Sequence, residues 1–177
     1  KLTPSAVKLV AERYGIPILH PVRLREETFL QALSSYGADV FVVIAFRMLP
    51  DVVWKMPAKG TINLHASLLP RYRGAAPIQR AIMNGDTETG LTTFFINERI
   101  DEGSILLQES TPISPSDNAE SLHDRLANIG QGLVVRTLDG LFEGSLNPLP
   151  QNTSIVSKPA PKKTKIPTCH VFSMQTI

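Results

Sequence analysis

Residues 39–45 read DVFVVIA, with no polar side chain between Val40 and Ala45. A run this short and this rich in β-branched residues is a strand rather than a helix. It does not alternate polar with apolar, which fits a strand covered on both faces at the centre of a parallel sheet. Parallel neighbours need crossover connections, so helices are predicted on either side. The flanking sequence supplies them. Thr3, Pro4 and Ser5 read as a helix entry, with Pro tolerated in the first turn, and Val7, Leu9, Val10 and Tyr14 form a core-facing set that Gly15 ends. Residues 16–20 are short and apolar enough for a strand. Residues 25–36 read as a second helix with Phe29, Leu30 and Leu33 inward, closed by Gly37.

After the apolar run, FRMLPDVVWKMP leaves as a loop and a short helix, and TINLH at 61–65 forms the next strand. Residues 75–84 read as a helix stopped by Asn84 and Gly85. Residues 91–96 and 104–109 read as strands, joined by the loop INERIDEGS. A long helical pattern follows from residue 116, with Leu122, Leu126, Ile129, Leu133, Leu138 and Phe142 at helical spacing and Gly130, Gly132 and Gly140 as points where it can split. This alternation predicts an α/β fold of right-handed crossovers, a mostly parallel sheet flanked by helices.

TINLH ends differently from an ordinary buried strand. Side chains alternate between faces, so Ile62 and Leu64 share one face while Thr61, Asn63 and His65 share the other. An amide and an imidazole are thus delivered to the carboxyl end of a strand, where open α/β sheets bind ligands. The loop ASLLPRYRG follows at once. Asp101, in the loop between the next two strands, adds a carboxylate. An amide donates a hydrogen bond without titrating, an imidazole donates or accepts near neutral pH, and a carboxylate orients the imidazole. Such a trio suits attack by an amine on a carbonyl, with Asn63 and His65 holding the oxyanion and Asp101 helping to remove the proton. By residue type alone the bland roles stay open: Asn63 and His65 as backbone partners at a strand end, Asp101 as a turn former.

At 177 residues, 42% of them hydrophobic, the chain suits one domain with a sizeable core. A formal charge of +2 excludes a generally basic, nucleic-acid-coating surface, so any RNA must be gripped locally. One cysteine, Cys169, allows no intramolecular disulfide and no cysteine-based zinc site, which fits a reducing, cytoplasmic setting. No run of 18 apolar residues suggests a membrane span. His20, His123 and His170 lack ligand-like spacing and read as structural or exposed, Trp54 as core, and no metal is expected. From Gly144 the composition turns to Pro, Asn, Gln, Ser and Lys, and residues 158–165, KPAPKKTK, read as a solvated tail. The predicted organisation is a catalytic domain over 1–150 and a linker or tail over 151–177.

The stretch INLHASLLPRYRGAAPIQRAI, followed by the Asp-x-Gly of IDEG, resembles the folate-dependent formyltransferases. The likeness runs from Lys1 to about Pro150. It implies a Rossmann-like formyltransferase domain with Asn63, His65 and Asp101 as the catalytic set and 10-formyltetrahydrofolate as formyl donor. Ser67, Leu68, Leu69 and Pro70 match the segment that lies against the folate, and Arg47, Met48 and Leu49 are candidates for the facing wall. Many members carry Tyr-Gly where this chain has Phe46 and Arg47. The resemblance further implies an α-amine acceptor, that of methionine on initiator tRNA, with Arg71 and Arg73 as candidate contacts to its phosphates. Other acceptors in the same chemistry are glycinamide ribonucleotide, an amino sugar or water. A folate- or RNA-binding module without turnover is the alternative from another class. Nothing in the sequence sets the oligomeric state; a monomer is the expectation. Because Lys1 rather than Met heads the chain, its true N-terminus is expected to lie upstream, and the resemblance implies that the family's opening βαβ unit and its β-rich C-terminal domain lie outside this sequence.

Overall fold

A computed structural model describes residues 4–44 and 48–152. Arg47, the lysine-rich run at 158–165, Cys169 and His170 lie outside the described residues. In order come α1 (Ala6–Arg13), α2 (Glu27–Ser35), β1 (Phe41–Ile44), α3 (Asp51–Trp54), β2 (Thr61–His65), α4 (Pro77–Met83), β3 (Glu88–Phe95), β4 (Ile105–Pro112) and α5 (Ala119–Glu143). The described sheet runs β1-β2-β3-β4. The α/β alternation is as predicted, but only β1 and β2 are parallel; β2–β3 and β3–β4 are antiparallel, so the described sheet is mixed.

Four local expectations change. Val7, Leu9, Val10 and Tyr14, expected to face a core, are exposed in the described structure. Residues 16–20 form no strand, and among the described residues no strand pairs with them. β1 pairs only with β2 among the described residues, and Val42 and Ile44 are exposed rather than covered. The glycines of α5 do not split it: the helix runs unbroken for 25 residues. Gly130 instead lets α5 approach the sheet, since a Cβ there would meet Leu64 Cδ2 at 3.0 Å, and one at Gly140 would meet Leu146 Cγ at 2.7 Å. Absence of a side chain serves close packing here, not chain reversal.

The core lies between α5, α4 and β3. Leu122, Leu126 and Leu133, on one stripe of α5, pack with Ile78 of α4 and Leu91 of β3. Two buried threonines pair with each other here. The Thr93 and Thr137 hydroxyls lie 2.8 Å apart, and Thr137 donates to the Leu133 carbonyl at 2.7 Å. The start of α5 is closed by a capping box: Asn118 Oδ1 accepts from the backbone N–H of Glu120 and Ser121, and the Ser121 hydroxyl accepts the Asn118 N–H.

Beside that cap, the Arg125 guanidinium, the Ser114 N–H and the Ser121 hydroxyl together hold the Asp117 carboxyl down from its ordinary 3.8 to about 2. A carboxyl depressed on folding stabilises the fold fully above its unfolded value, and that contribution fades as pH falls through the folded value. Denaturant unfolding should therefore find wild type more stable than Asp117→Asn by a constant margin above about pH 5, shrinking between about pH 4 and 2. A margin independent of pH would contradict this.

Candidate active site

β2 supplies two of the site's three side chains because its pleat sends Asn63 and His65 to the same face at the strand's end. His65 is buried, 8% exposed, and its Nε2 lies 2.9 Å from the Tyr72 carbonyl. A carbonyl only accepts, so Nε2 carries the hydrogen and Nδ1 is the nitrogen left for chemistry. Nδ1 faces Asp101 Oδ2 at 3.6 Å, an ion pair when the ring is protonated but beyond hydrogen-bonding distance. Asp101 Oδ2 accepts the Gly74 N–H at 2.7 Å. The structure thus brings Asp101 to His65 across the 35 intervening residues that left their contact open in the sequence.

The chain is forced into unusual shapes to do so. Asp101 has φ 53, Tyr72 φ 56 and Ala76 φ 55, all left-handed and all non-glycine. Such positions cost roughly 1–3 kcal/mol each and persist only where the surroundings over-determine them. The surroundings do so here. The Tyr72 hydroxyl donates to Asp86 at 2.6 Å and accepts from Asn84 Nδ2 at 2.9 Å, while Arg71 donates to Asp86 at 2.8 Å. This polar knot fixes the Tyr72 backbone, and the Tyr72 carbonyl fixes the imidazole. Gly74, at φ 84, supplies the turn between them without a Cβ penalty.

Asn63, His65 and Asp101 all line one cleft of about 700 Å³, within the usual range for small-molecule sites. It wraps round the carboxyl ends of β1 and β2. Met48 and Leu49 form part of its wall. Among the described residues, the buried Asn63 Oδ1 has no hydrogen-bond partner. Leaving such an acceptor unmatched costs about 1–3 kcal/mol, so the site is suited to a ligand that brings a donor.

The SLLP segment sits elsewhere. Ser67, Leu68, Leu69 and Pro70 are not among the residues that line the cleft; they bond to β3 and β4. Thr92 of β3 explains this: its hydroxyl donates to the Ser67 carbonyl at 2.7 Å and accepts the Leu69 N–H at 3.1 Å. Gln108 of β4 donates to the Leu69 carbonyl at 3.0 Å, and the Leu68 side chain lies over Gly90. Ser67 and Leu69 are consequently buried.

The two arginines also differ from one another. Arg73 is 11% exposed, its guanidinium paired with Glu102 at 3.2 Å and held by Gln151 Oε1. Arg71, 43% exposed, keeps a face to solvent beside Asp86. Sequence reasoning missed three contributors: the Tyr72 carbonyl, the Gly74 N–H and the Gln151 side chain. Only Gly74 left a signal, as the glycine closing RYRG. His123, exposed on α5, stands at the cleft's rim. Among the described residues, no group of three His, Cys, Asp or Glu side chains is placed to hold a metal ion, and no helix is long and apolar enough to cross a membrane.

Comparison with known proteins agrees with this geometry. Residues 1–138 match the formyl transferase family. The methionyl-tRNA formyltransferase of Bacteroides fragilis is 49% identical over 174 residues, covering 97% of this chain and 53% of that protein. The chain spans about half the length of the curated relatives it matches. Among solved structures, phosphoribosylglycinamide formyltransferase from Bacillus halodurans superposes with a TM-score of 0.71 at 24% identity, over 81% of this chain and 78% of that one. HypX from Aquifex aeolicus, solved with tetrahydrofolic acid, gives 0.63 at 23% identity, over 70% of this chain and 22% of that one. Both are likenesses of fold. With most of its length inside the family match, and with a strand-end cleft built on the fold those structures share, the chain belongs to the formyl transferase family.

Proposed function

We propose that this chain is the catalytic part of an enzyme that transfers the formyl group of 10-formyltetrahydrofolate to the α-amine of methionine esterified to initiator tRNA. One observation carries the reading: His65 Nδ1 faces Asp101 Oδ2 in a cleft that also receives Asn63, in a chain whose curated relatives are methionyl-tRNA formyltransferases. That amine, unlike a lysine, is substantially neutral near pH 7 to 8 and serves as nucleophile once positioned.

The residues divide the work as follows. Asn63 Nδ2 and, with the imidazole protonated, His65 Nδ1–H donate to the formyl oxygen as its charge develops, which is where fixed donors lower a barrier most. Asp101, its Oδ2 already held by the Gly74 N–H, orients the imidazole and accepts the proton that the attacking amine releases. A carbon–nitrogen bond forms to the amine as the bond to N10 of the folate breaks, and the proton is returned to N10 through Asp101 or water.

The cleft's apolar wall, with Met48 and Leu49, takes the flat pterin, and the unmatched Asn63 Oδ1 meets a donor of the bound substrates. Residues 67–70 serve the folate from behind by stiffening the loop that carries the His65 anchor. Arg71 adds a contact to tRNA phosphates while keeping Asp86, and Arg73 contributes through the Gln151 and Glu102 bonds it already makes. Residues 1–150 act as the catalytic domain, followed by a linker or tail over 151–177 whose first residue, Gln151, still bonds to the site loops, in a monomeric cytoplasmic enzyme that uses no metal.

The test is an acceptor comparison. Protein expressed from its complete reading frame, given 10-formyltetrahydrofolate, should form formyl-methionyl-tRNA from charged initiator tRNA far faster than it formylates glycinamide ribonucleotide or an amino-sugar nucleotide, or hydrolyses the donor. Preference for any of the latter would reassign the acceptor. Folate binding without turnover on any of them would make the chain a binding module.

A further inference from the structure

Two loops meet at the cleft, 72–76 carrying the His65 anchor and 100–103 carrying Asp101, and one distant side chain ties them together. After α5 the chain returns to the sheet, where Leu149 and Ile105 exchange both backbone hydrogen bonds at 2.8 Å. The same antiparallel register carries Gln151 to a place opposite Gly103. One Nε2 hydrogen of Gln151 goes to the Asp101 carbonyl at 2.9 Å and the other to the Gly103 carbonyl at 2.8 Å. Its Oε1 accepts from Nε and from one terminal nitrogen of Arg73, at 3.0 and 2.7 Å. A primary amide has two hydrogens and two lone pairs, so this one is used completely.

What Gln151 grips is the strained part of the site. Asp101 sits at φ 53, and the direction of its side chain depends on holding that backbone in the left-handed region. Fixing the carbonyls on either side of the 101–103 turn fixes the platform from which Oδ2 reaches Gly74 N–H and His65 Nδ1. Through Arg73, the same amide locks that platform to the RYRG loop one residue before Gly74. Composition assigns Gln151 to the linker, yet its side chain lies behind the site.

We propose that Gln151 is a positioning residue for Asp101, and that the segment following α5 is therefore part of the machinery that aims the carboxylate. This inference rests on the reaction proposed above. Gln151→Met keeps the length and removes all four hydrogen bonds. In protein expressed from the complete reading frame, it should lower kcat by about ten- to a hundredfold, as expected for small misplacement of a reacting group, with KM for folate and for tRNA changed less than about twofold. Added to Asp101→Asn it should cost nothing further, because residues acting through one another are non-additive. A full additional loss in the double variant would overturn the proposal, since that is how a merely structural role behaves.

Amide hydrogen exchange gives a readout independent of turnover. Gly74 N–H, which Asp101 Oδ2 accepts, should exchange faster in Gln151→Met while the amides of β3 keep their protection. Unchanged exchange at Gly74 contradicts the proposal. If Gln151→Met does not fold, Gln151→Glu, which retains the acceptor for Arg73 but turns a carboxylate towards the two carbonyls, is judged by the same two criteria. Should wild type transfer formyl to no amine, the reaction assignment falls, and Gly74 exchange still decides whether Gln151 positions Asp101.

Discussion

His65→Ala and Asn63→Ala should each cut kcat for formyl transfer by about 10²–10³-fold, the usual cost of losing one preorganised donor to a developing oxyanion. Because these donors matter most once charge builds on the formyl oxygen, the loss should fall on kcat more than on KM. The two substitutions are not equivalent structurally. His65 is anchored through Nε2 to the Tyr72 carbonyl, so its removal also leaves a buried acceptor without a partner and Asp101 without its facing ring. Asn63 Oδ1 makes no such bond among the described residues, so Asn63→Ala should leave stability nearly intact while removing activity. Steady-state kinetics paired with thermal unfolding separates the two effects. Turnover within a few-fold of wild type in either variant would contradict the assigned roles.

Gly103→Ala should destabilise the fold by at least about 3 kcal/mol, a cost at the top of the range for overpacking. The glycine of Asp-x-Gly is required by space, not by turning: a Cβ at Gly103 would lie 1.6 Å from the Phe95 carbonyl oxygen and 2.7 Å from its carbon. Phe95 is joined to this loop by its N–H, which donates to the Ser104 carbonyl at 3.0 Å. Neither backbone can retreat without breaking the β3–β4 ladder. Since Gly103 also offers its carbonyl to Gln151, the shift would propagate to Asp101 two residues earlier. A fall in the melting midpoint of about 6–12 °C corresponds to 3 kcal/mol at this chain length. An unchanged midpoint would show that the loop has room the structure denies it.

These residues also show what can be read from sequence and what cannot. Asn63 and His65 were legible because a pleated strand fixes their relation locally, two positions apart on one face. The helix of residues 119–143 was legible as a stripe of leucines, but its glycines were misread: whether a glycine breaks a helix or admits a neighbour depends on what packs against it, here Leu64 and Leu146. The run at 39–45 signals a strand but not its place in the sheet, since covering depends on neighbours that the run itself does not name. Residues 67–70 look apolar enough for a pocket wall, yet the Thr92 and Gln108 side chains, from strands that come later, tie their backbone to β3 and β4. Gln151 left no signal at all. Its role arises from the antiparallel return at Leu149, a long-range pairing that no local pattern encodes.

The most direct measurement is a crystal structure of the protein with a non-transferring analogue of 10-formyltetrahydrofolate. The analogue's formyl oxygen should lie about 3 Å from both Asn63 Nδ2 and His65 Nδ1, with Asp101 beside the ring and the pterin against Met48 and Leu49. Density for the formyl group away from the end of β2, or pointing from Asn63 and His65 towards solvent, would contradict the account.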